Sequence, residues 1–415
     1  MAHRPLQGVV VLDLTTALSG PYATMLLAGL GARVIKIENP RTGGDSSRGN
    51  APYVTRDGLS LSRTAPDDMS LSWVLRGRNK ESVTLDLKTT QGAALLRELA
   101  RRADVLVENY SAGVTQRLGI SYDHLREFNP SLVYTSISGY GQQGRPGGDR
   151  AMDTIVQALS GLMLTAGLPD DPPVRFGVPI GDLVAPLFAV IGTLAALAQR
   201  RDTGEGQHVD VSMLGSLTSL VACEPFDALE ELGVPQRTGS SVPRLAPFGT
   251  FECSDGWIAL CAPTDAMASA ALRSVGRADL LDDARFSSRD ARVANSDLLH
   301  QLINDWTLAR SVDDAISQLG AGGVPVAPVR DTGDAVHDPL LLARGEVLRV
   351  RHRLYGEIPD VRGSGIPIVF SGSEATLDEP APELGQDTER VLTGLLGLDD
   401  EQLKALRAAG ALGES

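Results

Sequence analysis

The first two hundred residues alternate between short, continuous apolar runs and longer amphipathic or small-residue segments. Val9-Val10-Val11-Leu12-Asp13-Leu14 reads as a buried strand. Residues 21–30 read as a helix with Pro21 in its first turn, ended by Gly31-Ala32. Arg33-Val34-Ile35-Lys36-Ile37-Glu38 is a second strand, and the resulting βαβ unit favours a parallel sheet with a right-handed crossover. The pattern then repeats. Residues 82–87 predict a strand, 91–102 an amphipathic helix, and 104–109 and 132–138 two more strands. Small-residue apolar helices are expected at 155–166 and 183–198. Residues 39–68 are rich in glycine and polar side chains, which predicts a long loop near a ligand or a partner chain.

The character shifts after Cys223. Residues 247–262 alternate as a β-hairpin does around Ser254-Asp255-Gly256. Helices are expected at 296–309 and 312–319, and a strand at 324–329. The last segment holds a strand-like stretch at 365–370, an ordered loop at 378–385 and a helix at 400–409. A chain of 415 residues suits two domains. The fold class is α/β. A doubly wound, Rossmann-like large domain spans 1–225 and 331–415, and a smaller α+β domain spans 226–330.

A formal net charge of −14 repels nucleic acid and anionic membranes, so neither is an expected partner. A phosphorylated ligand would then need a local basic pocket. Arg76, Arg78, Lys80, Arg117 and Arg150 stand beside strand ends and are candidates for it. Three cysteines give no disulfide framework, none has zinc-ligand spacing with a histidine, and no metal is expected. The chain shows no secretory leader and no apolar run of transmembrane length, so a cytoplasmic location is expected. The turn after the first strand, Thr15-Thr16-Ala17-Leu18-Ser19-Gly20, lacks G-x-G-x-x-G. That excludes a dinucleotide cradle and leaves Glu38 a structural residue. No G-x-S-x-G occurs, and no histidine lies near a candidate nucleophile.

Attention therefore falls on two carboxylates. Asp153 and Asp182 each sit at the predicted start of a helix. There the free N–H groups keep a carboxylate ionised, and an ionised carboxylate can act as a nucleophile. The same position also suits a simple N-cap, and local sequence leaves both readings open.

Several separate segments carry a family resemblance. They are Leu12-Asp13-Leu14, Ser19-Gly20-Pro21-Tyr22-Ala23-Thr24, residues 30–38, residues 80–88, and Asp104-Val105-Leu106-Val107-Glu108-Asn109-Tyr110. Arg117-Leu118-Gly119-Ile120, Ser138-Gly139-Tyr140-Gly141 and Pro382-Glu383-Leu384-Gly385 complete the set. In this order and spacing the chain resembles the class III coenzyme A transferases, the family of formyl-CoA:oxalate and carnitine CoA-transferases and α-methylacyl-CoA racemases.

The resemblance implies that Asp182 is the nucleophile and Asp153 the second acid. It implies coenzyme A contacts at Leu18 and Ser19, at Leu85, Asp86, Leu87 and Lys88, at Asn109, Tyr110 and Ser111, at Arg117, and at Arg150, Ala151, Met152 and Asp153. The expected activity is CoA transfer from an acyl-CoA to a small carboxylic acid, through an aspartyl anhydride and an aspartyl-CoA thioester. Coenzyme A is substrate, and no other cofactor is needed. An interlocked homodimer is also implied.

Three departures are visible. Met152 stands where racemases carry a histidine, which argues against proton shuttling, although Glu252 matches a racemase position. Residues 238–243 replace a glycine run, which argues against formyl-CoA and oxalate as substrates. Asn39 replaces a nucleotide-facing arginine, with Arg41 the nearest substitute. Arg237 and Arg244 flank the variable loop as candidates for an acceptor carboxylate. A racemase or isomerase on the same scaffold, or a non-catalytic CoA-binding protein, are the alternatives.

Overall fold

The computed structural model describes residues 3–144 and 150–413. The chain divides into two compact units. One comprises residues 1–160, 176–220 and 336–415, and the other residues 161–175 and 221–335. The sequence-based boundaries lay at 225/226 and 330/331. The segment 161–175, expected in the large domain, belongs to the second unit.

Among the described residues the first unit is built on six parallel strands: β1 (Val10–Asp13), β2 (Arg33–Glu38), β3 (Lys80–Thr84), β4 (Val105–Glu108), β5 (Val133–Ser138) and β6 (His208–Ser212). Their order is β3-β2-β1-β4-β5-β6, the doubly wound arrangement expected. Four helices matter for the site: α1 (Ser19–Gly29), α2 (Thr90–Ala100), α3 (Asp153–Leu159) and α4 (Ile180–Thr203). Helix α1 packs on α4, and α4 packs on β5 and β6. Helix α2 and the terminal helices Thr388–Leu396 and Asp400–Ala408 contribute Leu95, Leu96, Leu99, Val391, Leu392 and Leu403 to a core with Leu12, Ile35, Val83 and Leu106. Strands β1, β2 and β4 bury both faces and read as largely apolar runs.

Inside that apolar sheet sits a buried charge cluster. Asp13 Oδ2 accepts from Lys80 Nζ at 3.0 Å, and Asp13 Oδ1 faces Lys36 Nζ at 3.4 Å. Lys36 also pairs with Asp45 at 3.0 Å and donates to the Thr15 carbonyl. Thr15 and Thr24 hydroxyls donate to Asp13 at 2.5 and 2.6 Å. Burial alone would raise the Asp13 pKa, but Lys36 and Lys80 overrule it and hold the carboxyl well below the usual range.

Several sequence expectations change. Residues 39–68 are not one long loop. They contain two short 3-10 turns, Pro40–Thr42 and Ser46–Gly49, capped by the side chains of Asn39 and Asp45. A small antiparallel sheet of Tyr53–Thr55, Gly58–Ser60 and Met69–Ser70 follows, with strands too short to show a period. Residues 365–370 form no strand. The strands of that region are Val347–His352 and Gly356–Ser364, whose Val350 and Ile358 pack with buried Trp73. Arginines at alternate positions hide this hairpin in sequence. Helix α3 stops at Leu159 instead of reaching 166, and Gly161 follows in a left-handed conformation. Helix α4, contrary to the sequence expectation, is long and apolar enough to cross a membrane by length and composition. Its Ala185, Ala189, Thr193 and Ala196 are buried.

The second unit carries the expected hairpin, Phe248–Cys253 with Gly256–Cys261, extended by Val326–Pro328. Helices Asp265–Ser274, Ser296–Leu308 and Val312–Ala321 close its core around Ile258, Leu260, Leu299, Ile303 and Leu319.

Replacing Asp13 by Asn should leave two buried lysines short of a counter-charge and lower stability by about 3–5 kcal/mol. A urea titration near neutral pH measures this. The Asp13 contribution is present above the ordinary carboxylate range and is lost as pH falls through the depressed pKa, so the gap between wild type and variant should narrow in strong acid.

Candidate active site

Asp182 is the third residue of α4, and Asp153 the first of α3. Neither is the N-cap of its own helix; those positions are Pro179 and Met152. Asp153 instead caps its neighbour. Its Oδ1 accepts the Gly181 N–H at 2.8 Å, and its Oδ2 accepts from Gln157 Nε2 at 2.7 Å. One of the free N–H groups at the start of α4 is thus satisfied by a carboxylate from another helix. Glycine permits the approach: a Cβ on Gly181 would lie 2.9 Å from Val156 Cγ2 and 3.2 Å from Asp153 Oδ1.

Asp182 is half-buried, and its carboxyl is pushed up to about 6. Burial is the main cause, the charge of Asp153 adds to it, and Arg76 opposes it. The helix field was expected to keep this group ionised; burial and a like charge outweigh it. At neutral pH the carboxylate remains mostly charged. It is more basic than an exposed one, which suits a nucleophile.

A cavity of about 410 Å³ opens beyond the carboxyl ends of β1 to β4. This is the crevice where the strand order reverses, and where α/β folds hold ligands. Of the sequence candidates, Leu85, Asp86, Leu87, Lys88, Tyr110 and Arg117 line it. Others stand elsewhere. Asn109 locks the loop after β1, accepting from Thr16 N and donating to Thr16 O, both at 2.9 Å. Leu18 and Ser19 form the start of α1 and do not line the cavity. Ser111 is exposed and turns the chain through its carbonyl, which accepts from Val114 N at 3.1 Å. Ala151 packs so closely under Gly139 that a Cβ there would lie 1.9 Å from Ala151 Cβ. Arg150 and Met152 are exposed. Gly147, Gly148 and Asp149, quoted with Asp153 in the sequence motif, lie outside the described residues.

The candidate cations separate. Arg117 lines the cavity, whereas Lys80 is sealed against Asp13. Arg78 donates to the carbonyls of Leu75 and Ser364 at 2.9 and 2.7 Å. These two are structural and not phosphate ligands. Arg41 reaches cavity-lining Asp86 at 2.6 Å, near Asn39, which also lines the cavity. Arg237 is not an acceptor clamp. Its guanidinium is committed to the carbonyls of Ala166, Asp171 and Pro172. Arg244 pairs with Glu224. Glu252 lies in the second unit, its N–H donating to Asn304 Oδ1 at 3.1 Å.

Sequence reasoning missed Thr15, Thr16, Lys36 and Asp45 among the lining residues. Lys36 carried a signal, a charge inside a buried apolar strand. Asp45 carried none, because its role depends on a loop folding back under Ala17, whose N–H it accepts at 3.0 Å.

The sequence model of CoA-transferase family III matches residues 6–388, and the chain belongs to this family. It is 33% identical over 392 residues to a succinate–glutarate CoA-transferase of Agrobacterium fabrum, covering 94% of this chain and 96% of that protein. It is 35% identical to a formyl-CoA:oxalate CoA-transferase of Streptomyces avermitilis, covering 99% of this chain and 100% of that protein. A crystal structure of a CAIB/BAIF family protein from Brucella suis superposes with a TM-score of 0.80 at 31% identity, covering 94% of this chain and 99% of that one. The protein is a transferase that moves coenzyme A between an acyl-CoA and a carboxylic acid.

Asp182→Asn should stabilise the protein at high pH. A carboxyl whose folded pKa is raised supports the fold below its unfolded pKa and loses that support as pH rises through about 6. The neutral isostere avoids this cost. The gain should be about 1–2 kcal/mol at pH 8, after allowance for partial exposure, and near zero at pH 4. Paired thermal melts at the two pH values check it.

Proposed function

We propose that Asp182 is the covalent nucleophile of this transferase and that the cavity beyond β1 to β4 receives the nucleotide half of coenzyme A. The observation that carries the reading is the pairing at the start of α4: a basic, half-buried Asp182 beside an Asp153 whose oxygens are both occupied. The Asp182 carboxylate attacks the donor thioester carbonyl. The C–S bond breaks, CoA leaves as thiolate, and a mixed anhydride remains. The thiolate then attacks the aspartyl carbonyl, expelling the donor acid as carboxylate and forming an aspartyl-CoA thioester. The acceptor carboxylate repeats both steps in reverse and regenerates Asp182. No proton is gained or lost over the cycle.

Arg117 and Lys88 offer cations to phosphates on an otherwise acidic surface, and Tyr110 offers a ring to the base. Exposed Met152 supplies no proton carrier, so α-proton exchange is not the main chemistry. The three unpaired cysteines fit a reducing, cytoplasmic setting. Helix α4 leaves Leu187, Phe188 and Ile191 exposed, an apolar face that favours a second copy and fits the interlocked homodimer implied by the family resemblance.

Incubation with a productive acyl-CoA and no acceptor should let borohydride modify one aspartate per chain, mapped to Asp182. Asp182→Asn should lose labelling and transfer while still binding CoA. Modification of another residue, or full activity of Asp182→Asn with deamidation excluded, overturns the assignment. The acid limb of kcat/KM should fall near pH 6. Asp153→Asn should move that limb lower, because it removes the like charge. Sedimentation at low micromolar concentration should give a dimer; a compact, active monomer would rule it out.

A further inference from the structure

Arg76 ends the short helix Leu71–Arg76, which is anchored by the buried Trp73 ring and by Trp73 Nε1 donating to the Pro382 carbonyl at 2.8 Å. Its neighbours in sequence and space are committed: Arg78 to two carbonyls, Arg48 to Glu38 at 2.7 Å. Arg76 differs. Its Nε is buried and donates to nothing among the described residues. The two carboxylates whose charges act on it are Asp45 and Asp182. Asp45 is already engaged by Lys36, by the Ser47 hydroxyl and by the Ala17 N–H. Asp182 is the group that reacts.

A half-buried cation whose Nε is sealed from water without an acceptor is costly, and it suits a place where a ligand supplies that acceptor. The covalent cycle sharpens this. Once Asp182 is an anhydride or a thioester its negative charge is gone, and Arg76 loses part of its compensation when the acceptor must enter. A reacting carboxylate spends its charge in bond formation. A second carboxylate on the same acid keeps its charge throughout and suits a guanidinium fork.

Resting on the reading of Asp182 as nucleophile, we propose that Arg76 holds the non-reacting carboxylate of the acceptor, so that the acceptors are dicarboxylic acids. Arg76 is then the residue that distinguishes them from monocarboxylic acids of equal length.

The test compares succinate with butyrate and glutarate with valerate, using acetyl-CoA and propionyl-CoA as donors, whose acyl groups carry no second carboxylate, in wild type, R76Q and R76K. Wild type should favour the dicarboxylate of each pair. R76Q should lose roughly ten- to a hundredfold in kcat/KM for the dicarboxylates, mainly through KM. At pH 8, where Asp182 stays ionised even without the Arg76 charge beside it, the monocarboxylates should change far less, so that the preference for the dicarboxylate collapses. R76K should recover part of the loss. Equal use of both acids by wild type, a parallel loss on both in R76Q, no loss on either, or transfer to neither acid of any pair each overturns the proposal. Borohydride labelling of Asp182 separates the two readings. Labelling retained in R76Q with discrimination unchanged sinks only the Arg76 role, and no labelling in wild type sinks the nucleophile itself. Should R76Q fail to fold, R76K carries the test: it keeps the charge without the fork, so unchanged discrimination between the acids in R76K overturns a guanidinium-specific contact.

Discussion

The first unit depends on one buried carboxylate shared by two lysines from neighbouring strands. Asp13 at the end of β1 meets Lys36 on β2 and Lys80 on β3, all within an apolar sheet. A slip of one residue would turn these side chains to the opposite face and leave three charges buried without partners. The register of three strands is therefore set by electrostatics as well as by packing. The same cluster organises the loops above the sheet. Lys36 ties the Thr15 carbonyl to Asp45, and Asp45 holds Ala17 in a left-handed conformation through its N–H. That strained loop carries Thr15 and Thr16 into the cavity wall.

The two acidic residues of the site show how environment separates identical side chains. Asp153 has both oxygens occupied by N–H donors, one of them a backbone group at the start of α4. It is a fixed charge that also builds the helix end. Asp182, one residue beyond the capped glycine, is half-buried and feels that charge. The cap that builds the helix end thus also raises the basicity of the group expected to react.

Much of this architecture was legible in the sequence, for identifiable reasons. Strands β1, β2, β4 and β5 are buried on both faces, so apolar runs marked them to within a residue or two. Strand β6 escaped, because His208 and Asp210 are exposed and alternate with half-buried valines at the sheet edge. Of the site, Asp153 and Asp182 were legible as acids near helix starts, and Leu85 to Lys88 as a segment leaving a strand. What could not be read was which cations are spent on structure. Lys80, Arg78 and Arg237 look like surface charges in one dimension. Only the fold reveals that Asp13, the Ser364 carbonyl and the Ala166 carbonyl consume them.

The outer edge of the sheet carries a consequence for biosynthesis. Strand β3 is an edge strand, and Ser82 is covered by Asp387, with Asp387 Oδ2 accepting from Ser82 N at 2.9 Å across 305 positions of sequence. The Asp387 N–H returns a bond to the Ser82 carbonyl at 2.9 Å. On a translating ribosome this edge has no cover until Asp387 is made, an interval on the order of 15–60 s at ordinary elongation rates. The whole of the second unit emerges during that wait and has everything it needs to fold first. The nascent chain thus spends most of its synthesis with a bare β-edge, the feature that recruits foreign strands.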